Sequence, residues 1–161
     1  MIENFDPFYY NCGGFALSTY TWVRPFEEIE DNRRLYPFRF DRGIWRLVGG
    51  LLEQFNIRCV TSFKYISSNE YPVIFRVGSS DFHFMRYSEL LDGWIDKMGN
   101  SNFINFHNEE KIMRGHWYYG KYDSQIIKLA VRKNSDFDYD ESLIQMILYD
   151  AHGDIEDALL S

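Results

Sequence analysis

The chain has 161 residues, 45% hydrophobic and 19% aromatic, which is the size of one domain able to bury a core and excludes a disordered or fibrous protein. A formal net charge of -7 argues against direct nucleic-acid binding, which needs a basic surface, and no apolar run approaches the roughly 18 residues that cross a bilayer. With only Cys12 and Cys59, a disulfide framework is excluded and free thiols are expected.

The opening residues, "MIENFDPFYY", have neither a basic region nor an apolar segment of the signal-peptide kind, so a cytoplasmic location is expected. The first predicted helix covers 12–23, with Phe15, Leu17, Tyr20 and Trp22 as its bulk, and stops before Pro25. Residues 25–41 are polar, are interrupted by Pro37, and read as an irregular loop. Asp41 can cap a second helix over 42–55, where Ile44, Leu47, Val48, Leu51, Leu52 and Phe55 follow the spacing of a buried face. Four β-branched or aromatic stretches follow, "RCVTSF", "YPVIFRV", "DFHFMRY" and "GWIDKM", which predict consecutive antiparallel strands.

Residues 99–115, rich in Asn and poor in periodicity, read as a surface loop, and "SQIIKLAVR" as a further strand. Two short helices are predicted at 141–149 and 154–160. The last 27 residues hold eight acidic side chains and no Lys or Arg, whereas the first 134 carry 17 basic against 16 acidic. The expected organisation is an α+β domain over 1–134, with helices packed on a central antiparallel sheet, and a short acidic helical appendage over 135–161.

The segment Asn11-Cys12-Gly13-Gly14 carries the first chemical signal. Two adjacent glycines cost a helix roughly 2 kcal/mol relative to alanines. A cysteine at a helix start is favoured as the thiolate. Gly13 and Gly14 would then give a substrate carbonyl clearance and leave the Cys12 N–H as an oxyanion donor, with Asn11 as a further donor. The competing reading is that Cys12 is a small buried residue and the glycines permit close packing.

A thiol nucleophile needs a base, usually a histidine distant in sequence. Four exist. His83 sits on the predicted strand "DFHFMRY", facing away from Phe82 and Phe84 together with Asp81, Met85 and Tyr87, while His107, His116 and His152 lie in loop, aromatic and tail segments. The next strand offers Asp96 to orient the imidazole, with Asp81 or Asp92 as substitutes.

The order "NCGGFAL", "DFHFMR", "GWIDKMG", "YDSQIIKLAV" resembles a group of small phage and bacterial proteins. Their pattern is an Asn-Cys helix, a D-[FY]-H-[FW]-x-R strand, a G-x-W-x-x-K-x-G strand and a late Y-D-S-x-I strand. That pattern is similar to papain-like cysteine hydrolases, including cell-wall endopeptidases and amidases. The likeness covers about residues 10–131 and implies a papain-like fold with Cys12 as nucleophile, His83 as base and Asp96 as orienting residue. Some members carry a histidine where Asp96 stands. The chain departs from the pattern in placing Trp94 directly after Gly93 and Met98 where a proline is often seen. The expected activity is cleavage of an amide or peptide-type bond, without a cofactor, in a peptide, peptidoglycan or protein substrate, in the host cytoplasm if the chain is phage-encoded.

Other readings are weaker or compete. A metal site from Cys12, His83, His107 and His116 lacks any recognisable ligand spacing. The stretch "HWYYGKY" could stack on bases or sugars, but aromatics are abundant throughout the chain and strand packing is the better explanation. The tail resembles the last two helices of ubiquitin-associated domains of the CUE kind, departing where Asp138 stands in place of a proline. The alternative function is a non-catalytic interaction protein of the host-defence inhibitor type. It would bind a host protein through Asp136, Asp138, Asp140, Glu141, Asp154, Glu156 and Asp157, and removing 135–161 would leave hydrolysis intact.

Overall fold

The computed structural model describes residues 10–23, 55, 57–77, 82–98, 104–113, 117–118, 122 and 126–152. The predicted loop over 25–41 lies outside them, as do the helix over 42–55 apart from Phe55 and the last helix over 154–160.

Helix α1 runs only over Cys12–Ala16, not to residue 23. The chain breaks the helical path through left-handed backbone at Ser18 and Tyr20, with φ of 58° and 52°. Side-chain hydrogen bonds compensate for the early stop. Asn11 Oδ1 accepts from the backbone N–H groups of Gly14 and Val23, both at 3.1 Å, and Asn11 Nδ2 donates to Val23 O at 2.8 Å. One side chain therefore caps the helix and folds the following loop back onto it.

Among the described residues six strands follow: β1 Ile57–Cys59, β2 Glu70–Val77, β3 Phe82–Ser88, β4 Gly93–Lys97, β5 Ile104–His107 and β6 Ile127–Arg132. They form one sheet in the order β1-β6-β2-β3-β4-β5, every neighbouring pair antiparallel. The predicted strand around "RCVTSF" is shorter than its sequence, and Phe63–Tyr65 is a 3-10 turn. Because β6 pairs with both β1 and β2, the late strand separates two that are adjacent in sequence. Residues 99–115 are not simply loop, since β5 and helix α2, Glu109–Met113, fall there.

Alternation along the strands divides the core. On one face Tyr71, Val73, Phe75 and Val77 of β2 pack with Phe82 and Phe84 of β3, Ile127, Leu129 and Val131 of β6, and Cys12, Ala16 and Leu17. On the other, Ile74, Met85 and Trp94 pack with Ile112, Trp117 and Tyr122.

Helix α3, Phe137–His152, shares this core rather than standing apart from it. Phe137 packs on Tyr71, ring centroids 4.9 Å apart, while Ile144 and Leu148 join Tyr10, Phe15, Leu91, Ile95 and Ile104. Arg86, fully buried, stacks over Tyr71 and Phe137, donates to Phe15 O and Ser18 Oγ, and lies 3.8 Å from Glu141. Glu141 also accepts from Ser88 Oγ and the Glu89 N–H. The boundary expected at residue 134 thus marks a change in composition, but the cores on its two sides are continuous.

Candidate active site

The three residues implied by the motif order come together. Cys12 opens α1, which packs across β3 and β4. His83 and Asp96 project on the Met85 and Trp94 side of the sheet, as two-residue alternation from those positions requires. The β3–β4 ladder ends at Arg86↔Ile95, so His83 and Asp96 lie beyond its last rung; their strand partners are instead Arg76 of β2 and Asn105 of β5. Across that gap His83 Nε2 lies 2.6 Å from Asp96 Oδ2. Cys12 acts on the same imidazole from close by and favours its protonated form. With Nε2 engaged by Asp96, Nδ1 is the nitrogen left for the sulfur.

Asp96 is fully buried and densely coordinated. Besides His83 it receives Asn105 Nδ2 at 3.1 Å and the Tyr118 hydroxyl, and His107 Nε2 lies 3.0 Å from its Oδ1. Burial works against its charge, but the contacts from His107 and His83 hold the carboxyl well below the ordinary carboxylate range. A carboxylate can only accept, so Nε2 of His83 must carry the proton. Burial, reinforced by the Asp96 charge, pushes the Tyr118 phenol far above its usual value and keeps it a donor.

His83 is shaped by opposing influences. Burial disfavours the imidazolium, yet the negative charge of Cys12 and the Asp96 hydrogen bond outweigh it and raise the ring to about 10. The imidazole is therefore held toward its protonated form. Tyr122 stacks on the ring at 5.2 Å, and Tyr118 and Trp117 meet it edge-on at 5.3 and 6.2 Å. The aromatic stretch "HWYYGKY" thus contributes Trp117, Tyr118 and Tyr122 to the walls of this site.

The glycines serve the chain itself. A Cβ on Gly14 would lie 1.9 Å from Thr21 O, and one on Gly13 would lie 2.9 Å from Val23 Cβ and 3.3 Å from Phe84. The space a Cβ would need at either position is filled by the loop that Asn11 clamps, and Asn11 serves as cap and clamp.

Of the other sequence candidates, Asp92 is exposed in the β3–β4 turn, where it accepts from Tyr87, and Asp81, His116 and the side chain of His152 lie outside the described residues. Among the described residues no group of three or more His, Cys, Asp or Glu side chains is arranged to hold a metal ion, and no helix is long and apolar enough to cross a membrane. In the tail Asp138 is exposed and Asp136 partly so, whereas Asp140 and Glu141 are buried; Asp154, Glu156 and Asp157 lie outside the described residues.

Sequence reasoning missed three partners of Asp96. Asn105 and His107 are two apart on β5, so the signal was present, but reading 99–115 as loop concealed their shared face. No motif pointed to Tyr118 as a donor. No family model, curated protein or solved structure matches this chain.

Proposed function

We propose that the chain is a cysteine-dependent hydrolase of papain-like arrangement that cleaves an amide or peptide-type bond through Cys12, His83 and Asp96. The observation that carries this reading is the buried His83–Asp96 pair, Nε2 to Oδ2 at 2.6 Å, with Cys12 acting on the same imidazole. A nucleophile beside a base, with the base held by an orienting acid, is the constellation that acyl transfer requires.

In this reading the Cys12 thiolate attacks the acyl carbon and the Cys12 N–H helps hold the oxyanion. The C–N bond breaks as the His83 imidazolium gives its Nδ1 proton to the leaving amine. The now neutral imidazole removes a proton from water, hydroxide attacks the thioester, and the thiolate leaves as the acid product departs. Asp96 stays ionised throughout and holds the ring. The substrate belongs to the amide class that includes peptides, peptidoglycan cross-links and isopeptides.

The reading is tested with a peptidyl acyloxymethyl ketone, which traps nucleophilic cysteines. Cys12 should be labelled much faster than Cys59, with the difference abolished in His83→Ala; equal labelling of the two thiols would refute it.

One observation favours a second reading, a host-protein interaction module that retains a hydrolase fold. Cys12 is 5% and His83 1% exposed, so a substrate reaches them only after a local opening. The exposed Asp138 and the partly exposed Asp136 would then supply part of the binding surface.

A further inference from the structure

A second cation is buried near the nucleophile, and the chemistry proposed above does not use it. Lys97 follows Asp96 on β4, so alternation sends it to the opposite face of the sheet, where it has no exposed surface. Its Nζ donates to Tyr10 O at 2.9 Å and stands 4.7 Å from the Tyr10 ring centroid. Tyr10 immediately precedes Asn11, the cap of the helix that Cys12 begins. The ammonium therefore grips the backbone where the chain turns to deliver the sulfur.

Burial of a lysine is costly, and an apolar side chain of similar length would serve packing better. What the charge adds is a fixed positive group held, through Tyr10 O, two residues ahead of Cys12 in the chain. Burial pushes the Lys97 ammonium down to about 8 while the negative charge of Cys12 acts in the opposite direction.

We infer that Lys97 is a positioning residue for Cys12, fixing the Tyr10–Asn11 backbone and supplying a second positive charge, besides the His83 imidazolium, that favours the thiolate. The titratable groups bearing on this pair are Tyr10 ahead of α1, His83 on β3 and Asp96 on β4, with Tyr118 and His107 acting through Asp96. The apolar cluster around Tyr10 contributes Ile95 of β4, Ile104 of β5, and Ile144 and Leu148 of α3. The inference rests on the acyl-transfer reading for the use made of the thiolate, but its test does not.

The full chain is alkylated with iodoacetamide at pH 6 and pH 9, and the rate at each cysteine is followed by peptide mass spectrometry, with Cys59 as internal reference. Lys97→Met should lower the Cys12 rate at pH 6 by about tenfold, the equivalent of one pKa unit, and lower it less at pH 9. An unchanged ratio of the pH 6 to the pH 9 rate would overturn the inference, because a purely structural role moves both rates together. His83→Ala run in parallel separates the two claims: loss of Cys12 reactivity there, with Lys97→Met at the wild-type ratio, removes the lysine and leaves the Cys-His pair standing. Should Lys97→Met not fold, the wild-type protein carrying 13C-labelled lysine gives the same answer by NMR. Carboxamidomethylation of Cys12 removes the thiolate charge and should lower the titration midpoint of Lys97; an unmoved midpoint would overturn the inference.

Discussion

His83 and Asp96 stand on neighbouring antiparallel strands just past the last rung that pairs them, and their side chains close the gap at 2.6 Å. Where the ladder stops, side-chain chemistry takes over the space.

Asp96→Asn keeps the shape but removes the charge that holds the imidazolium. The His83 titration midpoint should fall toward the ordinary histidine value and Cys12 alkylation at neutral pH should slow by about tenfold or more, since each pKa unit is 1.36 kcal/mol. NMR of the imidazole and thiol labelling check the two effects together.

Stability should depend on pH at both ends. His83 is raised, so its contribution is fully present below about 6.5, its unfolded value, and is lost as pH rises through about 10. Asp96 is depressed, so its contribution is present above about 3.9 and is lost as pH falls through its folded value. Urea midpoints measured from pH 3 to 10 should fall on both sides of a mildly acidic maximum, and His83→Gln should flatten the alkaline arm.

Gly14→Ala places a methyl carbon 1.9 Å from Thr21 O, against backbone that cannot yield as a flexible side chain can. Overpacking of this kind should cost about 1–3 kcal/mol or more. Gly13→Ala, meeting mainly the Val23 side chain, should cost less. Denaturant unfolding of both variants ranks them, and equal stability would contradict the close packing of the loop on α1.

Arg86→Met should be among the most damaging single changes, at about 3–5 kcal/mol, because it strands the buried Glu141 carboxyl. Glu141→Leu in the same chain should recover part of that loss. Truncation after residue 134 should likewise unfold or aggregate the protein, since it removes Phe137, Ile144 and Leu148 from the core. This differs from the sequence-based expectation that the tail is dispensable for hydrolysis.

The strands that carry the site were legible because alternation in "YPVIFRV" and "DFHFMRY" is strong and turn residues bound each run. The first helix was overdrawn because Leu17, Tyr20 and Trp22 look helical by bulk alone; left-handed backbone at Ser18 and Tyr20 and the long-range clamp from Asn11 leave no local trace. Strand β5 escaped because Ile104 is the one fully buried residue of its four. Asp140 and Glu141 were expected on the tail's binding surface, and no sequence signal marked the burial of Lys97 and Arg86, which follows from how α1 and α3 close over the sheet. The meeting of His83 with Asp96 was legible because they lie on consecutive antiparallel strands, whereas the packing of the following loop against Gly13 and Gly14 leaves no local trace.

The central claim is that His83 activates Cys12, and site-resolved alkylation tests it most directly. With iodoacetamide at pH 7, wild-type Cys12 should react at least about tenfold faster than Cys59, despite being the more buried thiol, because the thiolate is the reacting species. His83→Ala should abolish that excess while leaving Cys59 unchanged. Equal, slow labelling of both cysteines in the wild-type protein, unaltered by His83→Ala, would contradict the account.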